Sequence, residues 1–153
     1  MATQQLIDNL NRALSLELAG TIQNMQHSFL VAGTDRQLFC EYFRDQSEEA
    51  QEHAARVGDK IVALGGVPTV EPALIRQSVE LKEMLGQALE LEREAMAAYM
   101  AAWESCGDEH RATKFQLEGW IGDEQEHIEE LEKLTRERTA NVAKERIVLR
   151  EVS

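Results

Sequence analysis

The stretch Asp123-Glu124-Gln125-Glu126-His127 sits in a helical row of Leu117, Ile121, Glu124, Ile128, Leu131 and Leu134, which advances in steps of three and four residues. Glu124 therefore occupies a core position in an otherwise apolar row. An ionised carboxylate in a low-dielectric core costs several kcal/mol unless it is paired or bound to a metal. His127 follows one turn later on the same side of the helix, so the two side chains are spaced to ligate one ion. The question for the rest of the chain is whether matching ligands occur on other helices.

Working outward, three more stretches carry helical periodicity. The first runs from about Gln4 to Val31, with Leu6, Leu10, Leu14, Glu17, Thr21 and Met25 in one row and Gly33 at its end. His27 lies roughly 80° off that row at ~100° per residue and is expected at the surface or at an interface. The second runs from about Asp35 to Leu64, where Gly65-Gly66-Val67-Pro68 supplies both a terminating glycine and a following proline. Its row passes through Phe39, Phe43, Ala50, His53, Val57 and Leu64. Glu49 precedes His53 by four residues and is offset from it by only ~40°, so it faces the same interior from a different height. The third spans about Gln77 to Ser105, in the row Leu81, Leu85, Ala88, Leu91, Glu94, Ala98 and Ala101. Cys106-Gly107-Asp108 reads as a turn with Asp108 as the cap of the last long helix, and His110 is expected to be exposed. Residues 136–153 extend that helix or form a short fifth one.

The connection from Val67 to Arg76 contains two prolines and has a geometric task. Roughly ten residues at ~3.3 Å each cross a bundle ~35 Å long, so two antiparallel helical hairpins are joined by a long crossover. The expected fold is all-α, a four-helix bundle formed as one domain over 1–153. Composition agrees: 43% of the 153 residues are hydrophobic but only 5% aromatic, and there are two prolines. A formal net charge of −12 disfavours nucleic-acid binding through a basic surface and favours attraction of metal cations. Cys40 and Cys106 form no Cys-x-x-Cys pair, in keeping with a reducing compartment. The N-terminus does not read as a signal peptide and no apolar run is long enough to span a membrane, so a cytoplasmic location is expected.

Each long helix thus carries a ligand type that interrupts its stripe: Glu17; His53 with Glu49; Glu94; and Glu124 with His127. A two-metal site needs such a set. Several carboxylates offset about four positive charges, bridging carboxylates hold the ions ~3.5–4 Å apart, and one imidazole serves each. Iron or manganese suits these ligands better than zinc, which more often takes Cys- or His-rich coordination.

On these residues the chain resembles the bacterioferritin and ferritin-like di-iron carboxylate family. The likeness covers Glu17 in ALSLELAGTIQ, the EHAARVGDKIVALGGVP run that includes His53, Glu94 in LELEREAMAAY, and Glu124 with His127 in DEQEHIEELEKL. The resemblance implies a ferritin-like bundle with a di-iron site at Glu17, His53, Glu94, Glu124 and His127. It also implies oxidation of Fe²⁺ to Fe³⁺ by O2 or H2O2, storage in an oligomeric shell and a homo-oligomeric state. Two departures stand out. Ala50 occupies the place of a bridging carboxylate, leaving Glu49 as the sixth candidate ligand. Gln51 stands where bacterioferritins ligate haem through methionine, so no haem is expected. Ala50 keeps two alternatives open: a non-catalytic metal- or partner-binding bundle, and a small di-iron or di-manganese oxidase without storage.

Overall fold

The computed structural model describes residues 2–136; the expected extension or fifth helix at 137–153 lies outside them. Four long helices make up the fold: α1 (Ala2–Leu30), α2 (Arg36–Ala63), α3 (Leu81–Glu104) and α4 (Arg111–Thr135), with one 3₁₀ turn, Asp108–His110, leading into α4. No described helix is long and apolar enough to cross a membrane.

α1 and α2 form one hairpin and α3 and α4 the other, with α1 packed against α3. The first turn contains Gly33 at φ +96°, a left-handed conformation in which a side chain would be strained. α2 ends in a Schellman motif, where Gly65 at φ +86° lets Gly66 N–H donate to Ile61 C=O and Gly65 N–H to Val62 C=O. The crossover then runs along α1 in the same direction. Asn11 donates to Val67 C=O and accepts from Thr69 N–H, Ser15 C=O accepts from Ala73 N–H, and Gln23 Oε1 accepts from Arg76 N–H. It remains pinned through Gln77, which accepts from Gln26 Nε2 at 2.9 Å. These ties hold Gln77 outside the helix and the chain bends at 79–80, so α3 starts at Leu81 rather than at Gln77 as the periodicity suggested.

The core of α1 follows Leu6, Leu10, Ala13, Glu17, Gly20, Asn24, His27 and Val31, a strict alternation of four and three. Its named members other than Gly20 are at most 5% exposed. This corrects two expectations. His27 is fully buried, set edge-on to Phe43 with ring centroids 5.1 Å apart and its Nε2 3.3 Å from Gln87 Oε1. Met25, expected in the core row, is 41% exposed. The stripe drifts about 20° per heptad on a straight helix, and two successive steps of four from Glu17 leave it. At this end of the bundle the buried letters are polar, so following apolar letters led away from the core. Asp108 also departs from expectation, since no side-chain bond caps the 3₁₀ turn and α4 begins only at Arg111. His110 is only half-exposed and lies 3.0 Å from Thr3 Oγ1.

Candidate metal centre

Four of the expected ligands converge between the helices. Glu17 of α1 is 5% exposed, His53 of α2 6%, and Glu124 of α4 0%. His53 Nδ1 lies 3.4 Å from Glu17 Oε1 and 3.3 Å from Glu124 Oε1. His127 of α4 completes the second half of the centre. Its ring stacks on that of His53, with centroids 5.6 Å apart and planes 12° from parallel.

On the third helix the structure brings Glu92 to the cluster, not the expected Glu94. Glu92, Glu124 and His127 offer donor atoms that all lie within 4.8 Å of one another, and so do Glu17, His53 and Glu124. Glu94 lies outside both triads and pairs with Arg76 of the crossover, which also reaches Glu90 at 3.3 Å. The reason is angular. The inward stripe of α3 is Leu85, Ala88, Glu92, Ala95, Tyr99 and Ala102, again alternating four and three; all are buried except Glu92, whose side chain is 18% exposed. The row through Leu91 and Glu94 takes successive steps of three and rotates about 120° away between Ala88 and Glu94. Both rows carry buried residues, Leu91 and Ala98 on one and Ala95 and Tyr99 on the other, so packing against the other helices is what separates the two glutamates.

Glu49 comes to the cluster without joining either triad. Its Oε1 lies 2.8 Å from His127 Nε2, while His127 Nδ1 faces Glu92 Oε2 at 3.7 Å. Glu49 therefore accepts from the outer ring nitrogen, which orients the ring and leaves Nδ1 toward the carboxylates. Ala50 is buried, and Gly20 brings α1 close to it: a β-carbon placed at Gly20 would lie 3.4 Å from Ala50 Cβ. Gln51 is exposed on the outer face of α2.

One member of the centre has no signature in a single helix. Tyr99 is fully buried and donates its hydroxyl proton to Glu17 Oε1 at 2.7 Å. It follows Glu92 by seven residues on the same stripe. Burial, reinforced by Glu17 and Glu124, pushes the phenol well above its ordinary value, so it stays a donor.

The protonation pattern is that of a ligand set waiting for positive charge. Burial, with Glu92 and Glu17 close by, drives the Glu124 carboxyl far above the usual carboxylate range. Burial also pushes Glu92 upward, but Glu124, His127 and His53 outweigh it and hold Glu92 below its ordinary value. The Glu92 carboxylate facing its ring raises His127 to about 9 against the opposing effect of burial. Both carboxylate oxygens of Glu124 are buried without a hydrogen-bond partner. Such a group in a dry core costs several kcal/mol, and a divalent cation on each side would meet the need.

A ferritin-like domain model matches residues 7–139. The chain belongs to the ferritin-like family. Among curated relatives, this ferritin-like chain is 33% identical to the bacterioferritin of Brucella melitensis over 134 residues, 84% of this chain and 81% of that protein. It is 30% identical over 130 residues to a nutrient stress-induced DNA-binding protein of Synechococcus, 76% of this chain and 73% of the relative. Among solved structures, a ferritin-like diiron-carboxylate protein from Bacillus anthracis superposes with a TM-score of 0.84 at 31% identity, covering 89% of this chain and 99% of that one. The Rhodobacter capsulatus bacterioferritin, solved with a metal-free dinuclear site and haem iron, superposes with a TM-score of 0.77 at 26% identity over 86% and 84% of the two chains.

Proposed function

We propose that this protein binds two ferrous ions within the bundle and promotes their oxidation to ferric iron by O2 or H2O2, feeding storage in a homo-oligomeric shell. The observation that carries the reading is Glu124, fully buried, with neither oxygen in a hydrogen bond, and common to both triads. A carboxylate placed between two ligand sets is suited to bridge two ions.

In this reading Glu17 and His53 hold one ion, Glu92 and His127 hold the other, and Glu124 spans them. Iron supplies the redox chemistry, each Fe²⁺ giving up one electron. The chain's own residues do the rest. Glu49 fixes the His127 ring from outside, and Tyr99 fixes the Glu17 carboxylate from above. Three carboxylates and two neutral imidazoles leave part of the charge of two divalent ions uncompensated, which favours release of ferric product over permanent retention. Manganese suits the same hard ligands. The amide of Gln51 is a poor haem ligand, so haem has no part in this reading. Oligomerisation is supported by Ile22, Met25 and Phe29 on the outer face of α1, 42%, 41% and 59% exposed. The net charge of −12 argues against binding nucleic acid.

Ferrous iron added under air to metal-free protein should be oxidised faster than with a Glu124→Ala/His127→Ala control, and light scattering should report a shell. Equal rates would sink the catalytic reading. Ala50 favours a second one, a centre that holds metal without turning it over. Metal analysis giving two ions per chain together with control-level oxidation would select it.

A further inference from the structure

α4 stops at Thr135, although residues 136–153 contain neither glycine nor proline to break a helix. Thr135 Oγ1 donates back to Leu131 C=O at 2.8 Å, and Arg136, at φ −56° and ψ 118°, turns the chain off the helix axis. The turn forms one wall of a groove of about 470 Å³, where Thr135 and Arg136 stand with Phe39 of α2, Leu81 and Leu85 of α3 and Leu134 of α4. Leu85 belongs to the buried cluster of Phe43, Met84, Ile128 and Leu131, whereas Leu134 is 37% exposed. The groove therefore joins exposed apolar surface to the core.

Residues 137–153 follow directly, and their longest apolar run is Ile147-Val148-Leu149, set between Arg146 and Arg150. Eleven residues lead from Arg136 to Ile147, and at ~3.3 Å each they leave ample chain to turn back to the groove. Because this tether begins at the groove wall, the run meets the groove at an effective concentration on the order of millimolar, which favours it over a free partner. Charge acts in the same direction. Residues 1–136 carry 25 acidic and 12 basic side chains, residues 137–153 three acidic and four basic, so the acidic body attracts the segment. Seating the run on Leu134 removes apolar surface of both from water.

We propose that the run Ile147-Val148-Leu149 docks into the groove between Phe39, Leu81, Leu85 and Leu134 of its own chain and closes this end of the bundle. The docked run extends the core cluster at the point where α4 leaves off. The contact requires no metal, so it stands or falls separately from the iron reading.

The test uses the full-length protein. Hydrogen exchange read by mass spectrometry is expected to find the amides of 146–150 protected at least about tenfold over a free peptide of the same sequence. Leu134→Asp puts a charge into the groove wall at a residue already 37% exposed. It should abolish that protection while exchange in α1, α2 and α3 stays unchanged. In a Cys40→Ser/Cys106→Ser background, Leu134→Cys with Val148→Cys is expected to form a disulfide within one chain under mild oxidation. Phe115→Cys with Val148→Cys, which probes the far end of α4, should form none. An unprotected run overturns the proposal, and so does protection that survives Leu134→Asp. A disulfide found only between chains overturns it as well, because the groove would then hold the run of a second copy.

Discussion

The imidazoles of His53 and His127 lie stacked with ring centroids 5.6 Å apart, one carried by α2 and the other by α4. Parallel rings at that distance turn the Nδ1 atom of each toward carboxylates: His53 toward Glu17 and Glu124, His127 toward Glu92. Two imidazoles side by side over a row of three glutamates is a paired arrangement, and its consequences can be measured.

Glu92 and Glu94 differ by two residues and should differ completely in metal binding. Anaerobic titration with Fe²⁺ or Co²⁺ is expected to give two ions per chain for the native protein and one or fewer for Glu92→Ala. Glu94→Ala should keep two, because its carboxylate serves Arg76. Loss of stoichiometry in Glu94→Ala alone would overturn the assignment.

Removal of Glu49 should act through His127. Glu49→Ala frees the ring that Glu49 now orients at 2.8 Å, and loss of such a partner typically weakens metal binding 10–100-fold. Glu49→Gln keeps an acceptor oxygen and should recover much of the affinity. An equal defect in both variants would instead mark Glu49 as a direct ligand.

Tyr99→Phe deletes one hydrogen bond to a buried carboxylate. The expected destabilisation is about 1.5–3 kcal/mol in the metal-free protein, read by urea denaturation. Metal binding relieves Glu17 by another route, so the penalty should shrink in the loaded protein. A penalty that is the same in both states would count against this account.

Stability of the metal-free protein should fall as pH rises. His127 is raised from 6.5 to about 9, so its contribution is fully present below 6.5 and is lost as pH passes through 9. Glu124 is raised above its ordinary 4.5, so the folded state keeps a proton that the unfolded chain releases, and stability declines above that pH. Glu92 is lowered, and its contribution is lost on acidification below 4.5. Melting temperature without metal should therefore peak near pH 4.5 and fall above it, more steeply once pH exceeds 6.5 and His127 adds to the loss. Metal affinity should run the other way, rising with pH because binding displaces these protons. A melting temperature that rises from pH 6.5 to 9 in the absence of metal would refute the scheme.

Much of this protein is legible in its order of residues. Gly33, Gly65 and the Val67–Arg76 connection mark where helices stop and how two hairpins are linked. The interruptions at Glu17, His53, Glu124 and His127 mark the side chains that meet between the helices, because a charged letter within an apolar period must be satisfied in the core or removed. Those inferences use only distances along one helix, which the 3.6-residue repeat specifies. What the tertiary structure alone decided needs the rotation and height of one helix against another. It chose Glu92 over Glu94, because only the true contact stripe of α3 shows which glutamate faces α4. It made Glu49 the support of His127, because that pairing bridges two helices whose relative height no local period encodes. It buried His27 and brought Tyr99 to Glu17. Each of these is a meeting of side chains carried by different helices, and helical periodicity carries no information about how one helix is set against another.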